Sequence, residues 1–315
     1  MLPSPPKKLF GRENDLKILS TAVQLHRIIF VHGQGGIGKT AILSKLADQF
    51  ARELKIKVCY YNITASLSLS LFLDGLLHRL QIGSEISASQ NYNSLSQNDK
   101  VQAVCDLLNQ YPCLLFIDNL HHLNEEDAAF CIENFTYLVF EGTIFITSRT
   151  GLPSLRADVS APFEHHLNGL SKDGIQEQLQ AHHISDPALF ERLSNLGEGN
   201  PLLIGQVIQN IHRSHSFDDV ILSSITKFWE YILSGLSSTQ YHIIETLALY
   251  KFPVDIQAFG KDEIEIKSDL HELLKRQIVL QQKNKSYIIH DTLKEYIRKN
   301  MDHDHAAQIT IVCVR

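Results

Sequence analysis

Long apolar runs, paired cysteines and a signal sequence are all missing from this chain. No apolar stretch approaches the roughly 18 to 20 residues that a membrane helix needs. The N-terminal segment 1–8 is rich in proline and lysine and has no apolar core typical of a signal peptide. The 5 cysteines are scattered without any Cys-x-x-Cys pair, which predicts buried thiols in a reducing compartment. We therefore expect a cytoplasmic protein with no membrane partner.

An excess of positive charge is also lacking. The 29 Lys and Arg residues face 35 Asp and Glu residues, so the formal net charge is −6. This balance predicts no general attraction to nucleic acid or to an anionic membrane. With 44% hydrophobic and 20% charged residues the composition is that of a globular protein. A length of 315 residues exceeds one ordinary core and predicts two or three domains.

The strongest motif present is a glycine-rich loop, Gly33–Thr40, with the sequence GQGGIGKT. An apolar run, Arg27–His32, precedes it and predicts a buried strand, and the apolar spacing after it predicts a helix. Consecutive backbone N–H groups of such a loop surround phosphate oxygens, and the following helix adds its positive end. The expected nucleotide-binding residues here are Gly33, Gly35, Gly36, Ile37, Gly38, Lys39, Thr40 and Ala41.

Within this loop, Lys39 is expected to reach the β- and γ-phosphates and Thr40 to ligate Mg²⁺. Two later strands also end in polar residues. Asp118 closes an apolar run and is predicted to hold Mg²⁺ through water, with a plain turn residue as the alternative. Arg149 follows Thr143–Thr147 and is predicted to touch the γ-phosphate, with a solvated surface arginine as the alternative. We take Lys39, Asp118 and Arg149 as candidate catalytic residues and Thr40 and Asp118 as metal ligands.

Apolar strands alternate with helical patterns through the first half of the chain, with a second strand predicted at Val58–Asn62 and a last strand near His165–Leu170. This alternation predicts an α/β fold with a parallel sheet covered by helices on both faces. The second half has helical spacing and then a helix, helix, hairpin, helix pattern that suggests a winged-helix domain. The segment Ser237-Ser-Thr-Gln240 is predicted to be a capping box that opens the first of these helices. The predicted divisions are a tether at 1–8, a P-loop domain at 9–170, a helical lid at 171–213, a connector and winged helix at 214–300, and a tail at 301–315.

The ordered set of motifs resembles the STAND ATPases, signal-transduction ATPases, and most of all their NB-ARC type. The resemblance covers about residues 9–300. Its motifs are Phe10-Gly-Arg-Glu13, the P-loop, Asp118, Thr147-Ser-Arg149, Gly199-Asn-Pro201 and His290-Asp291. The resemblance implies a P-loop NTPase domain followed by an all-helical lid and a winged helix.

Further residue roles come only from this resemblance. Phe10, Gly11 and Arg12 lie in the segment expected along the adenine and ribose, and Pro201 is expected against the base. His290 is expected to touch the β-phosphate of bound ADP. From spacing alone, Pro201 would be a helix starter and His290 a strand-end residue.

The resemblance implies a signalling switch controlled by ATP and ADP with Mg²⁺. ADP would hold the module closed between sheet, lid and winged helix, and ATP would permit self-assembly into a homo-oligomer. Asn119 departs from the pattern, since many relatives have an acidic residue after the aspartate. An amide cannot take a proton from water, so we expect slow ATP hydrolysis. The effector and sensor partners are unknown. Neither an effector domain nor a sensor domain is recognisable in these residues. This predicts a fragment, a degraded gene or a minimal relative.

Two other functions fit parts of the sequence. Initiator ATPases that bind DNA also couple a P-loop domain to a winged helix. Residues 261–299, however, contain nine Lys or Arg and seven Asp or Glu, so we expect DNA not to be a partner. A metabolic kinase is the third possibility, and the sequence shows no acceptor-substrate domain for it.

Overall fold

The computed structural model divides the chain into two compact units. Unit 1 contains residues 1–33 and 38–168, and unit 2 contains Gln34–Ile37 and residues 169–315. The described residues are 5–53, 55–63, 67–84, 92, 94–195, 199–211, 217–250, 253–259, 263–276, 278–281, 285–289 and 291–301. His290 and the predicted tail after residue 301 lie outside them. The finer division into lid and winged-helix domains stays a prediction.

Unit 1 alternates strands and helices, as the sequence predicts. Its helices are α1 (Glu13–Leu25), α2 (Lys39–Glu53), α3 (Leu69–Ser84), α4 (Gln97–Gln110) and α5 (Glu125–Leu138). Its strands are β1 (Ile28–His32), β2 (Val58–Asn62), β3 (Leu114–Asp118), β4 (Thr143–Ser148) and β5 (Phe163–His166). The last strand differs from the prediction of His165–Leu170, because residues Phe163–His166 are the ones that pair with β1.

All five strands run parallel in the order β2-β3-β4-β1-β5. The α/β fold class is therefore confirmed. A parallel sheet gathers the carboxyl ends of its strands at one edge. The phosphate-loop strand β1 is separated from β3, which ends in Asp118, by the intervening strand β4.

Helices cover both faces of the sheet because every central strand is apolar on both sides. Leu115 and Ile117 of β3 face a core that α3, α4 and α5 close. The alternate residue Phe116 faces the other way and packs its ring 5.4 Å from that of Phe145. On that side α2 contacts β2 and β3. Near-continuous burial of β3 and β4 is what a two-sided sheet requires.

In the part of unit 2 that the structure describes, helices predominate and one hairpin is present. Its helices are α6 (Lys172–Ala181), α7 (Pro187–Asn195), α8 (Pro201–Ile211), α9 (Phe217–Leu233), α10 (Ser238–Leu249), α11 (Glu263–Lys275) and α12 (Asp291–Asn300). The strands β6 (Val279–Gln281) and β7 (Tyr287–Ile289) are antiparallel. One continuous apolar core runs from Leu170 to Ile297, so the helices of the predicted lid and those of the winged helix pack together.

The end of unit 2 has the predicted order of helix, helix, hairpin and helix, formed by α10, α11, β6 with β7, and α12. Ser237 opens α10 with the predicted capping box: its hydroxyl accepts from Gln240 N at 3.1 Å, and Gln240 Oε1 accepts from Ser237 N at 3.2 Å. An antiparallel bridge between Val254 and Tyr287, which was not predicted from the sequence, extends the hairpin. A short 3-10 helix, Ile256–Phe259, lies between α10 and α11.

The cysteines were expected to be buried thiols, and no helix was expected to cross a membrane. Cys59, Cys105 and Cys131 are buried free thiols. Burial raises the pKa of Cys105 to about 12, so this thiol stays protonated at neutral pH. Among the residues described, no helix has the length and apolarity needed to cross a membrane. The cytoplasmic location stays a prediction.

Candidate functional site

The glycine-rich loop runs from the end of β1 into the first residues of α2, as predicted. Gly36 and Gly38 adopt positive φ angles of 78° and 102°, a region that L side chains rarely occupy. At Gly38 an added Cβ would meet no atom within 4 Å, so the requirement there is purely conformational. At Gly36 the same Cβ would also lie 2.8 Å from the side chain of Leu202, within unit 2.

The tip of the loop is held by a fully buried asparagine of the same unit. Asn200 Nδ2 donates to Gly35 O and to Gln34 Oε1, each at 3.0 Å. Asn200 Oδ1 accepts from Leu202 N at 3.0 Å at the start of α8. Both amide N–H groups and the oxygen of Asn200 are therefore engaged, and the side chain ties the loop tip to the beginning of this helix. Next to it, Pro201 is half-buried as the first residue of α8.

Lys39 is a buried cation beside a second cation. Its Nζ donates to Gly33 O at 2.6 Å. Burial first, and then the charge of Arg149, lower the pKa of Lys39 to about 7, although Asp118 opposes both. Two neighbouring positive groups, one of them desolvated, make a site that an anion would stabilise. A phosphate group is such an anion.

Asp118 is buried at the end of β3 and receives three hydroxyl groups. Thr40 Oγ1 donates to Asp118 Oδ2 at 2.9 Å, and Tyr60 Oη donates to the same oxygen at 3.0 Å. The Thr147 hydroxyl donates to Asp118 Oδ1. These donors compensate the cost of burying a carboxylate that is only 1% exposed. Asp118 is therefore a buried, hydrogen-bonded carboxylate, and its role toward Mg²⁺ stays a prediction.

Asn119 takes the place after Asp118 in a left-handed conformation, with φ 67°. Its backbone N donates to Thr147 Oγ1 at 3.1 Å, and its side-chain Nδ2 donates to Asn62 Oδ1 at 2.9 Å. The amide is thus drawn toward the end of β2. Position 119 therefore has an amide and no carboxylate, as the sequence analysis noted.

Arg149 follows β4 and is half-buried. Its backbone N donates to His121 Nδ1 at 3.3 Å, in the short helix Leu120–His122 that follows Asn119. Its charge contributes to the lowered pKa of Lys39. The contact of Arg149 with the γ-phosphate stays a prediction, with a solvated surface arginine as the alternative.

The segment before α1 is ordered around a buried arginine. Gly11 has a positive φ of 59°, and Phe10 is half-buried under Lys8 Nζ, 5.0 Å from its ring centroid. Arg12 is 4% exposed and pairs with Asp15 at 3.2 Å, which in turn contacts His165 Nε2 at 2.9 Å. Burial alone would raise the pKa of Asp15, but His165 and Arg12 together lower it. Their role toward a base or ribose stays a prediction.

His32, the last residue of β1, lies beside the loop. Its Nε2 is 3.1 Å from Glu164 Oε1, and its ring stacks on His166 with centroids 4.8 Å apart. Burial lowers the pKa of His32 to about 4, although Glu164 raises it. The contact with Glu164 is therefore a hydrogen bond from a neutral imidazole at neutral pH.

The structure adds polar groups that the sequence analysis did not select. Tyr60 and Asn62 end β2, beside Asp118 and Asn119, and Asn200 holds the loop tip. The sequence contained a signal for Tyr60 and Asn62, because β2 ends at the same edge of the sheet where β3 presents Asp118. Ala41 lies in the first turn of α2, as the loop predicts.

The oxygen atoms around Thr40 suit a small hard cation. The Thr40 hydroxyl and the Asp118 carboxylate are 2.9 Å apart, and both are oxygen donors of the kind that Mg²⁺ prefers. Mg²⁺ usually keeps several waters and takes one or two carboxylates plus phosphate oxygens. Bound there, it would neutralise charge on the phosphates. Thr40, which is exposed, would face it directly, and buried Asp118 would act through water.

The parallel sheet, the glycine-rich loop Gly33–Thr40 and the strand-end residue Asp118 define the P-loop NTPase fold. Residues 8–140 match the family model described as the AAA ATPase domain, which is a nucleotide-binding ATPase class. That match spans less than half of the chain. No curated protein matches the sequence.

Solved structures are similar to nearly the whole chain. A Walker-type ATPase of Pyrococcus abyssi has 13% identity and a TM-score of 0.68, with 95% of this chain and 98% of that one covered. A STAND protein with a tetratricopeptide repeat sensor from Pyrococcus horikoshii has 17% identity and a TM-score of 0.52, with 99% and 46% covered. The Aeropyrum pernix ORC1 protein, solved in complex with DNA, has 12% identity and a TM-score of 0.50, with 96% and 95% covered. At these identities the likeness concerns the fold.

Proposed function

We propose that this chain is a nucleotide-controlled switch of the STAND class and NB-ARC type. It binds ATP or ADP with Mg²⁺ at Gly33–Thr40 and Asp118, and it hydrolyses ATP slowly. Two features of the site support this proposal most. Lys39 is a desolvated cation that the charge of Arg149 affects. The Thr40 hydroxyl and the Asp118 carboxylate form a pair of oxygen donors suited to a metal ion. The ATP state is proposed to favour self-assembly.

A switch requires residues that distinguish the two nucleotides, since a ligand shifts an equilibrium only by its differential affinity for the two states. Arg149 is proposed to favour ATP through the γ-phosphate. His290 is proposed to favour ADP, and Pro201, Phe10, Gly11 and Arg12 to contact the base and ribose. These roles rest on the resemblance together with the positions of Arg12 and Arg149 in unit 1.

The test compares ADP with a non-hydrolysable ATP analogue in wild type, Arg149→Ala and His290→Ala. Arg149→Ala should weaken the ATP analogue more, and His290→Ala should weaken ADP more. One lost hydrogen bond to a charged group costs about 1.5–3 kcal/mol. Arg156→Ala is the control, because the side chain of Arg156 is 61% exposed and pairs with Glu133 at 3.0 Å. Equal losses for both nucleotides in both variants would refute the switch.

A DNA-binding ATPase is the second candidate. The likeness to an ORC1 protein solved with DNA favours it, so the expectation that DNA is not a partner is unsupported. The helix α11 carries four Asp or Glu and two Lys in its 13 residues, a composition less basic than a groove-reading helix usually has. Binding of a duplex that persists at physiological salt and depends on sequence would place this function first.

A further inference from the structure

The buried hydroxyl of Tyr60 is the feature of the site that the proposed function leaves unexplained. Tyr60 lies on β2 opposite Phe116, and Asn62 lies opposite Asp118. Tyr60 and Asp118 are therefore diagonal neighbours on the same face of adjacent strands, a separation that a long side chain can bridge. The observed distance from Tyr60 Oη to Asp118 Oδ2 is 3.0 Å.

The donors around Asp118 define its orientation. Oδ2 accepts from both Thr40 and Tyr60, and Oδ1 accepts from Thr147. A carboxylate has about four lone-pair directions, so three donors leave roughly one for a further partner. A hydroxyl can donate while its lone pairs ligate a metal, so Thr40 can keep this bond with Mg²⁺ bound. Tyr60 is buried, with 8% of its surface exposed, and donates to the same carboxylate oxygen as Thr40.

We infer that Tyr60 is a positioning residue for the magnesium site. Its hydroxyl occupies one direction of Asp118 Oδ2 and holds the carboxylate so that the remaining direction meets the water shell of Mg²⁺. Groups that orient metal-binding carboxylates in this way typically change metal affinity about 10- to 100-fold when they are removed. The inference rests on the proposed function, because it concerns the same nucleotide and Mg²⁺ site.

Tyr60→Phe is the direct test, because it removes the hydroxyl and keeps the ring in the core. The full chain is titrated with Mg²⁺ at fixed ADP, and nucleotide binding is followed by thermal shift and by calorimetry. We expect the Mg²⁺ concentration for half-maximal effect to rise about 10- to 100-fold. Binding of ADP in excess EDTA should stay at the wild-type affinity.

Tyr61→Phe is a matched control on the same strand. Successive strand residues face opposite ways, and the Tyr61 ring lies 5.8 Å from that of Phe72 on α3. Removing its hydroxyl should leave the Mg²⁺ dependence unchanged. A double-mutant cycle with Asp118→Asn adds a test of mechanism, since Tyr60→Phe should have no further effect on Mg²⁺ once the carboxylate is gone.

Two outcomes separate this inference from the function it rests on. Failure of wild type to bind ADP with or without Mg²⁺ would overturn the proposed function, and this inference with it. Normal Mg²⁺-dependent binding in wild type, with the same or a lower Mg²⁺ requirement in Tyr60→Phe, would overturn the inference alone. An equal loss of affinity with Mg²⁺ and with EDTA would also overturn it, because that result indicates general structural damage.

A second measurement covers the case in which Tyr60→Phe does not fold. Fluorotyrosine placed at position 60 retains the hydroxyl, and its fluorine resonance reports on the hydrogen bond to Asp118. Addition of Mg²⁺ to the ADP-bound protein should shift this resonance, and the same label at position 61 should not respond. An unchanged resonance at position 60 during saturation with Mg²⁺ would contradict the inference.

Discussion

The side-chain amide of Asn119 donates a hydrogen bond to Asn62 Oδ1 over 2.9 Å, at the carboxyl ends of β3 and β2. One of these neutral amides, Asn119, lies where the resemblance implies an acidic residue, and Asn62 is its hydrogen-bond partner. In-line attack on a γ-phosphate needs an oriented water as well as charge stabilisation. Asn119 can orient a water through its oxygen but cannot remove its proton.

Asn119→Asp should therefore accelerate ATP hydrolysis. A general base typically contributes about 10²–10⁴-fold, and aspartate tolerates the left-handed backbone that residue 119 adopts. Single-turnover hydrolysis is measured in wild type, Asn119→Asp and Asn119→Gly. The glycine variant keeps the backbone unstrained and should be no faster than wild type. A wild-type rate on the order of one per second, unchanged or lowered by Asn119→Asp, would refute this account.

Lys39→Ala should abolish or greatly weaken nucleotide binding. Lys39 is the buried cation of the loop, and its Nζ is aimed at Gly33 O. A ligand at about 100 times its dissociation constant stabilises the folded state by roughly 2.7 kcal/mol, which thermal unfolding detects. Lys57→Ala removes an exposed lysine that precedes β2 and serves as the control. Equal nucleotide-dependent shifts in all three proteins would disprove the assignment of Lys39.

Nucleotide binding should take up a proton above pH 7. In the free protein the pKa of Lys39 is about 7, below its ordinary value of 10.5, so Lys39 is mostly neutral at pH 8. Bound phosphates favour the charged form and raise this pKa again. By linkage, affinity then falls as pH rises from 7 toward the pKa of the bound state.

The measurement is calorimetry with ADP at pH 8 in buffers of different ionisation enthalpy. We expect uptake of about one proton per ADP, given the free and bound protonation states of Lys39. Arg149→Ala removes the neighbouring charge that lowers the pKa of Lys39, so it should reduce the uptake. An observed heat that is independent of the buffer would contradict the titration of Lys39.

Gly36→Ala should destabilise the protein and impair nucleotide binding. Its φ of 78° is strained for alanine, which costs about 1–3 kcal/mol, and the new Cβ would lie 2.8 Å from Leu202. Gly205→Ala is the matched control in α8, where an added Cβ meets no atom within 4 Å. There the change should stabilise by about 0.5–1 kcal/mol, because alanine suits a helix interior better. Equal unfolding midpoints for the two variants would contradict this argument.

Local patterns predicted most elements because they depend on short-range spacing. The run Val58–Asn62 is a strand with the predicted bounds, and Ser237 opens α10 through its predicted capping box. By contrast, β5 began and ended earlier than predicted. Its residues are only partly buried, so apolar spacing gave a poor signal, and pairing with β1 decided its limits.

The sequence alone determined the phosphate loop, because glycine positions, a strand before and a helix after are local properties. It also indicated Asp118 and Arg149, since each follows an apolar run. Only the tertiary structure decided that β4 lies between β1 and β3, because strand order depends on pairing between distant segments. The same long-range register places Tyr60 diagonally across from Asp118 and Asn62 beside Asn119. Contacts of that kind depend on which residues face each other across strands, a relationship that no local pattern in either strand contains.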